Sequence, residues 1–208
     1  MTGEWREYRT EEWHHLHYGR EAPRRVKAQS SRLLFSQSGQ MLEQGGGHWY
    51  LTVLASLPVS VGLDMGITDN VSLGVGMTPL DIPFPSAAFA RLKVGGSIGE
   101  YVHSAVSGYR IGTDDGEAVI AHGVVTVGTP RLSVTAGFAH LTHNSLGDQN
   151  LVTLGLVLPL RFDVSLVGES WIAPADGVAP FAIAVRGYTE YVCLEGGFIA
   201  TSTDTGFN

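Results

Sequence analysis

The sequence predicts an all-β protein, folded as a closed antiparallel up-and-down barrel of about 10–12 strands. Three observations carry this reading. From about residue 45 onward, large apolar residues alternate with small or polar ones at period two, the spacing of side chains along a strand. Many of the alternating runs are about ten residues long, and turn signals separate them. Glycine accounts for 27 of 208 residues, nearly twice the usual ~7%, and few charges are spread through the strands.

The elements follow in order. Residues 48–56 and 59–67 both alternate, with Val59, Val61, Leu63, Met65 and Ile67 set against Ser60, Gly62, Asp64 and Gly66. Pro58 leaves open whether they form one strand or two. Thr68-Asp69-Asn70 turns the chain into 71–78, where Val71, Leu73, Val75 and Met77 share a face. Strands at 86–96 and 100–111 come next. Thr113-Asp114-Asp115-Gly116 then leads to 117–127, and Gly128-Thr129-Pro130 to 131–141, where Leu132, Val134, Ala136 and Phe138 line one side. After the polar stretch 144–150 come 150–160 and 162–172. Pro174-Ala175-Asp176-Gly177 opens 178–188, and 190–201 closes the series. Arg32–Phe35 is a further short candidate. A count of 10 or 12 is expected, because bacterial membrane barrels usually have an even number of strands.

Charge divides the chain. Six of the thirteen basic and five of the twenty acidic residues lie in residues 1–29, leaving seven basic and fifteen acidic for the rest. Residues 1–45 therefore read as a polar N-terminal segment and lead-in outside the barrel, 46–202 as the barrel and 203–208 as a tail. Met1 is not followed by the basic-then-apolar stretch of a secretory signal. His14, His15 and His17 read as part of a solvated segment rather than a metal cluster. The net charge of −7 excludes a general nucleic-acid binder. A single cysteine, Cys193, excludes an internal disulfide and a Cys-based zinc site. No apolar run approaches the 18 residues of a membrane-spanning helix.

Two closed architectures share this alternation and invert it. A soluble barrel buries its large apolar face; a membrane barrel turns that face to lipid and lines its lumen with polar and small residues. The face opposite the large residues is mostly Gly, Ser, Thr and Ala, and seven charges fall on it by parity: Asp64, Arg91, Lys93, Asp163, Glu169, Arg186 and Glu195. A soluble sheet normally displays charge to water, so the transmembrane barrel is the better fit. Charges in a narrow lumen must pair, because unpaired ones cost several kcal/mol. Arg91 and Lys93 are expected to meet Asp64, and Arg186 to sit between Glu169 and Glu195 in one network. Cys193 reads as a small inward filler. The aromatics Trp49, Tyr50, Tyr101, Tyr109, Trp171, Tyr188 and Tyr191 lie near strand ends, as an interfacial girdle would.

The stretch Gly66-Ile67-Thr68-Asp69-Asn70-Val71-Ser72-Leu73-Gly74-Val75-Gly76 resembles the GxTDNxSLGxG hairpin of uncharacterised outer-membrane β-barrel proteins of Gram-negative bacteria. Ser31-Arg32-Leu33-Leu34-Phe35 is similar to the lead-in of that family, and Gly168-Glu169-Ser170-Trp171 to one of its strands. Arg186-Gly187 and Leu194-Glu195-Gly196-Gly197-Phe198 fall where its last two strands would lie. The resemblance covers roughly residues 31–200. It implies an outer-membrane barrel of eight to twelve strands with no assigned activity. The chain departs from the family pattern in that no signal-like stretch follows Met1 and in that Asn208 stands after Phe207.

No catalytic residues, metal ligands or cofactor site emerge. His140, His143, Asn144 and Ser145, with Asp148, faintly resemble the His and Ser of outer-membrane lipid A deacylases, but a loop fixes no base beside a nucleophile. Gly45-Gly46-Gly47 lacks the lysine of a phosphate loop. The expected function is a non-enzymatic, structural or weakly pore-forming barrel in the outer membrane. Its expected partner is outer-membrane lipid, with no nucleic acid. The alternatives are a soluble lipocalin-like carrier of an apolar ligand, or a lipid-modifying outer-membrane enzyme.

Overall fold

A computed structural model describes residues 32–34, 36–54, 57–78, 87–113, 116–144, 147–161, 164–173, 178–188 and 192–203. Among these residues the chain forms eleven strands: β1 (Gly47–Leu54), β2 (Leu57–Thr68), β3 (Val71–Thr78), β4 (Ala87–Ile98), β5 (Val102–Thr113), β6 (Gly116–Gly128), β7 (Ser133–His143), β8 (Gly147–Arg161), β9 (Val164–Ile172), β10 (Val178–Tyr188) and β11 (Val192–Thr203). The long run around Pro58 is thus two strands. Each strand pairs antiparallel with the next, and the sheet closes on itself. The fold is the expected all-β, up-and-down closed barrel.

The even strand count is not what closes it. In an up-and-down meander each turn reverses direction, so the eleventh strand runs parallel to the first. Trp49–Leu54 of β1 accordingly pairs in parallel with Val192–Gly197 of β11. Neighbouring strands recognise one another through short turns, which are local. Closure instead joins strands that lie far apart in sequence, and no local pattern specifies its direction.

Alternation sets the two faces of the wall. Met65, Leu73, Val75, Val106, Val125, Val134, Phe138, Leu154, Phe181, Ile183 and Phe198 all point outward and are exposed. Ser60, Asp64, Ser72, Arg91, Lys93, Ser107, His122, Thr126, Thr135, Glu169, Arg186 and Glu195 point inward and are buried. The barrel is therefore apolar outside and polar inside. Among the described strand side chains, the outward charges are Arg110, Glu117 and Asp148, all beside the turns at residues 113–116 and 144–147.

The lead-in overturns the expectation that it lies outside. Arg32, Leu33, Leu34, Ser36, Gln37, Ser38, Gln40 and Leu42 are each at most 3% exposed, because residues 32–42 run inside the barrel. Among the described residues Arg32–Leu34 joins no strand, and Arg32 bridges to Gln37 within the segment; Phe35 lies outside the described residues. At one rim the segment turns into β1. There Gln44 N–H donates to Asp69 Oδ1 (2.9 Å) and Gly45 N–H to the Gly66 carbonyl (2.9 Å), and Gly45 takes a φ of 72°, the left-handed region that glycine occupies at little cost.

Candidate functional site

The site is the filled lumen, and strand register builds it. On the closure side, Arg186 lies opposite Glu195 across β10–β11, and Glu195 lies opposite Thr52 across β11–β1. Arg186 Nε donates to Glu195 Oε1 at 2.6 Å. The lumen segment supplies the other half: Arg32 donates to Glu195 Oε2 at 3.0 Å, and Thr52 bonds the same oxygen. The Arg32 guanidinium also sits 3.8 Å from the centroid of the Tyr50 ring, a cation–π geometry. One buried carboxylate is thus shared by two guanidiniums, the charge-assisted arrangement that the planar arginine head suits. Burial opposes the charge on Arg32. The Glu195 carboxylate at 3.0 Å offsets it.

Glu169 meets the expected network by a different route. The register sets it opposite Ala182, whereas Arg186 lies opposite Ser165, four residues further along β9. That offset is about 13 Å at the ~3.3 Å rise of a strand. Glu169 instead accepts the backbone N–H groups of Leu34 (2.8 Å) and Ser36 (2.9 Å) and the Trp171 indole N–H (2.5 Å). Arg186 in turn donates to the carbonyls of Arg32 (3.2 Å) and Leu33 (2.9 Å). Residues 32–36 therefore link the three charges.

On the next part of the wall, Arg91 pairs with Asp64, as expected. They lie on β4 and β2, with Gly74 of β3 in register between them. A Cβ at Gly74 would collide with Asp64 Oδ1 and stand 2.8–2.9 Å from the Arg91 guanidinium, so the glycine leaves the space in which the pair meets across the intervening strand. The second Asp64 oxygen faces His48 Nε2 at 3.8 Å. The Lys93 ammonium reaches the Gln40 carbonyl and lies within electrostatic range of both Asp64 and Arg91. Asp163 lies outside the described residues. Cys193 is buried and points inward, its Sγ 3.9 Å from Glu195 Oε1.

From β5 to β8 the inner wall is lined mainly by hydroxyls and a histidine, with Arg131 buried at the β6–β7 turn. Thr126 and Thr135 share a hydrogen bond (2.7 Å), His122 Nε2 bonds Thr153 Oγ1 (2.8 Å), and the His122 ring stacks on Trp171. The aromatic girdle divides by parity. Trp49 and Tyr101 are exposed, whereas Tyr50 and Tyr109 are buried and Trp171 turns inward to Glu169. Nearness to a strand end does not decide which face a ring takes. Tyr191 and the Tyr188 side chain lie outside the described set.

Sequence reasoning missed four buried basic side chains: Arg32, His48, His122 and Arg131. Arg131 was within reach, because it adjoins the outward Leu132. His48 alternates with Tyr50 and Thr52, a pattern that gives the face but not its sign. His122 stands between Ala121 and Gly123, which give no parity, and Arg32 belongs to no alternating run. His140 faces outward and bonds Asn150 across the β7–β8 pair (2.9 Å). Ser145 and residues 14–17 lie outside the described residues. Among the described residues no group of three His, Cys, Asp or Glu side chains is placed to hold a metal.

Comparison with family models, curated proteins and solved structures finds no match to this chain.

Proposed function

We propose that the protein is a non-enzymatic outer-membrane β-barrel that stands in lipid with its lumen closed by its own residues 32–42. One observation carries this: large apolar side chains stand exposed around the outer face, while the described strand charges other than Arg110, Glu117 and Asp148, beside the turns, are buried inside. In water that arrangement would expose far more apolar area than the few hundred Å² usual for a soluble monomer's patch. In a bilayer it is the stable one. The twelve- and thirteen-residue strands β4, β5 and β6 exceed the 9–11 tilted residues that cross a hydrocarbon core. The hairpin resemblance at residues 66–76 supports the Gram-negative outer membrane as the location. An apolar-ligand carrier suits this interior poorly, since its wall is built from arginines, carboxylates and hydroxyls rather than an apolar cavity.

The test is fractionation of the full chain. It is expected to partition into detergent and to migrate faster on a gel unheated than heated, as folded membrane barrels do. In planar bilayers it is expected to conduct weakly or not at all while the lumen segment is seated. A monodisperse monomer in detergent-free buffer overturns the membrane reading.

A further inference from the structure

The bonds between the wall and the lumen segment fall largely on the segment's main chain. Glu169 takes two N–H groups, of Leu34 and Ser36. Arg186 takes two carbonyls, of Arg32 and Leu33. Thr126 Oγ1 accepts the Gly39 N–H at 2.6 Å, and Lys93 reaches the Gln40 carbonyl. Gly39 itself lies so close to the backbone of β5 and β6 that an added Cβ would clash with the His103 carbonyl. Side chains add selectivity at three successive positions. Arg32 engages Glu195 and Tyr50. Leu33 occupies the space that a side chain at Gly155 would fill. Leu33 and Leu34 cluster with Val157, Val167, Ala182 and Ala184.

Among the described residues no sheet ladder joins the segment to the wall. Its one bridge is internal, between Arg32 and Gln37, and the barrel closes strand to strand without it. The segment is held as a ligand is held, by side chains of a wall already complete.

From this we infer that the lumen is a peptide-binding site, with residues 32–40 as its resident ligand. The ligand class is a short peptide presenting an arginine followed by two apolar residues, bound through its main chain to Glu169 and Arg186. The inference goes beyond the membrane reading, because it concerns the inside of the barrel and holds in detergent or lipid alike.

The experiment cuts the segment loose after folding. Glu43, Gln44 and Gly45 are exposed, so a protease site inserted between Gln44 and Gly45 in the full chain can be cleaved in detergent. The cut protein is then mixed with a labelled synthetic peptide of residues 30–44. Trp171 shares its Glu169 partner with the Leu34 and Ser36 amides. With Trp5, Trp13 and Trp49 replaced by phenylalanine, its fluorescence reports release. The expected result is saturable binding of one peptide per barrel, with an Arg32→Ala peptide competing at least ~10-fold more weakly, the tenfold step that about 1.4 kcal/mol sets. A cut barrel that stays heat-modifiable but admits no labelled peptide overturns the inference, as does equal binding of a peptide with Arg32 and Leu34 exchanged.

Hydrogen exchange on the unmodified full chain gives an independent reading if the insertion disturbs folding. The Leu34, Ser36 and Gly39 amides should exchange as one unit, at least ~10-fold faster than those of Val167 and Ala184 in the wall, as a separately opening element does. Exchange at the wall's own rate overturns the inference.

Discussion

The closure seam and the wall opposite it solve the same problem with different chemistry. At the seam, β1 meets β11 in parallel over Trp49–Leu54 and Val192–Gly197. Across the barrel, β5 meets β6 antiparallel over Val102–Thr113 and Gly116–Val127. Parallel pairing is slightly weaker per residue, and here it is also shorter. Behind the seam Arg186, Glu195 and Arg32 are bonded together. The opposite wall is lined mainly by hydroxyls and a histidine, Ser107, His122, Thr126, Thr135 and Thr153, with Arg131 buried at its β6–β7 turn. The long β5–β6 ladder closes over hydroxyls and a histidine, whereas the short parallel closure is backed by the Arg186–Glu195 pair, to which the lumen segment adds Arg32.

The sharpest way to break this comparison is Glu195→Ala. It removes the carboxylate shared by two buried guanidiniums, and about 3–5 kcal/mol of stability should go with it, the scale for breaking a buried pair. Chemical unfolding in detergent, followed by loss of heat-modifiable migration, measures it. Replacing Arg32, Arg186 and Glu195 together with apolar residues of similar volume should recover most of the loss. A cost for Glu195→Ala below about 1 kcal/mol, no more than a neutral hydrogen bond, would show that the charges do not back the seam.

The outer faces should not differ at all. Val106 on β5 and Phe198 on β11 are 65% and 71% exposed. An arginine at either is expected to cost about 2–4 kcal/mol in a bilayer, the value near the midplane. Unfolding in lipid vesicles checks this, and two near-zero costs would count against lipid on both sides. A smaller effect is expected at Gly74→Ala, about 1–3 kcal/mol, from overpacking against Asp64 and Arg91. Gly108→Ala is the control, since nothing lies within 4 Å of its added Cβ; equal unfolding midpoints for the two would remove the role given to Gly74. The smallest effect belongs to the hydroxyl-lined wall: Thr135→Ala should cost about 1 kcal/mol, one hydrogen-bonded hydroxyl. A loss as large as that of Glu195→Ala would erase the contrast between the two regions.

Much of the wall was legible because parity is local. Leu166 and Val185 face outward, so Glu169 and Arg186 had to face inward, and both do. The Asp64–Arg91 pair followed from the same reasoning. The direct contact expected between Glu169 and Arg186 failed as drawn because parity gives the face of a residue and not its height. Register shifts at Gly66/Thr68 and Pro159/Arg161 show that height is settled between strands.

The sequence by itself determined that the chain is a β-barrel, which residues face in, and that the inner face carries the charge. Those properties follow from a period of two repeated along each strand. Tertiary structure alone decided the parallel closure of eleven strands and the seating of residues 32–42 in the lumen. Both depend on partners distant in sequence: Thr52 with Glu195, Leu34 with Glu169, Gln40 with Lys93. A segment with no periodicity of its own is buried because the finished wall offers donors and acceptors for its backbone. Those groups stand together only after the strands have closed.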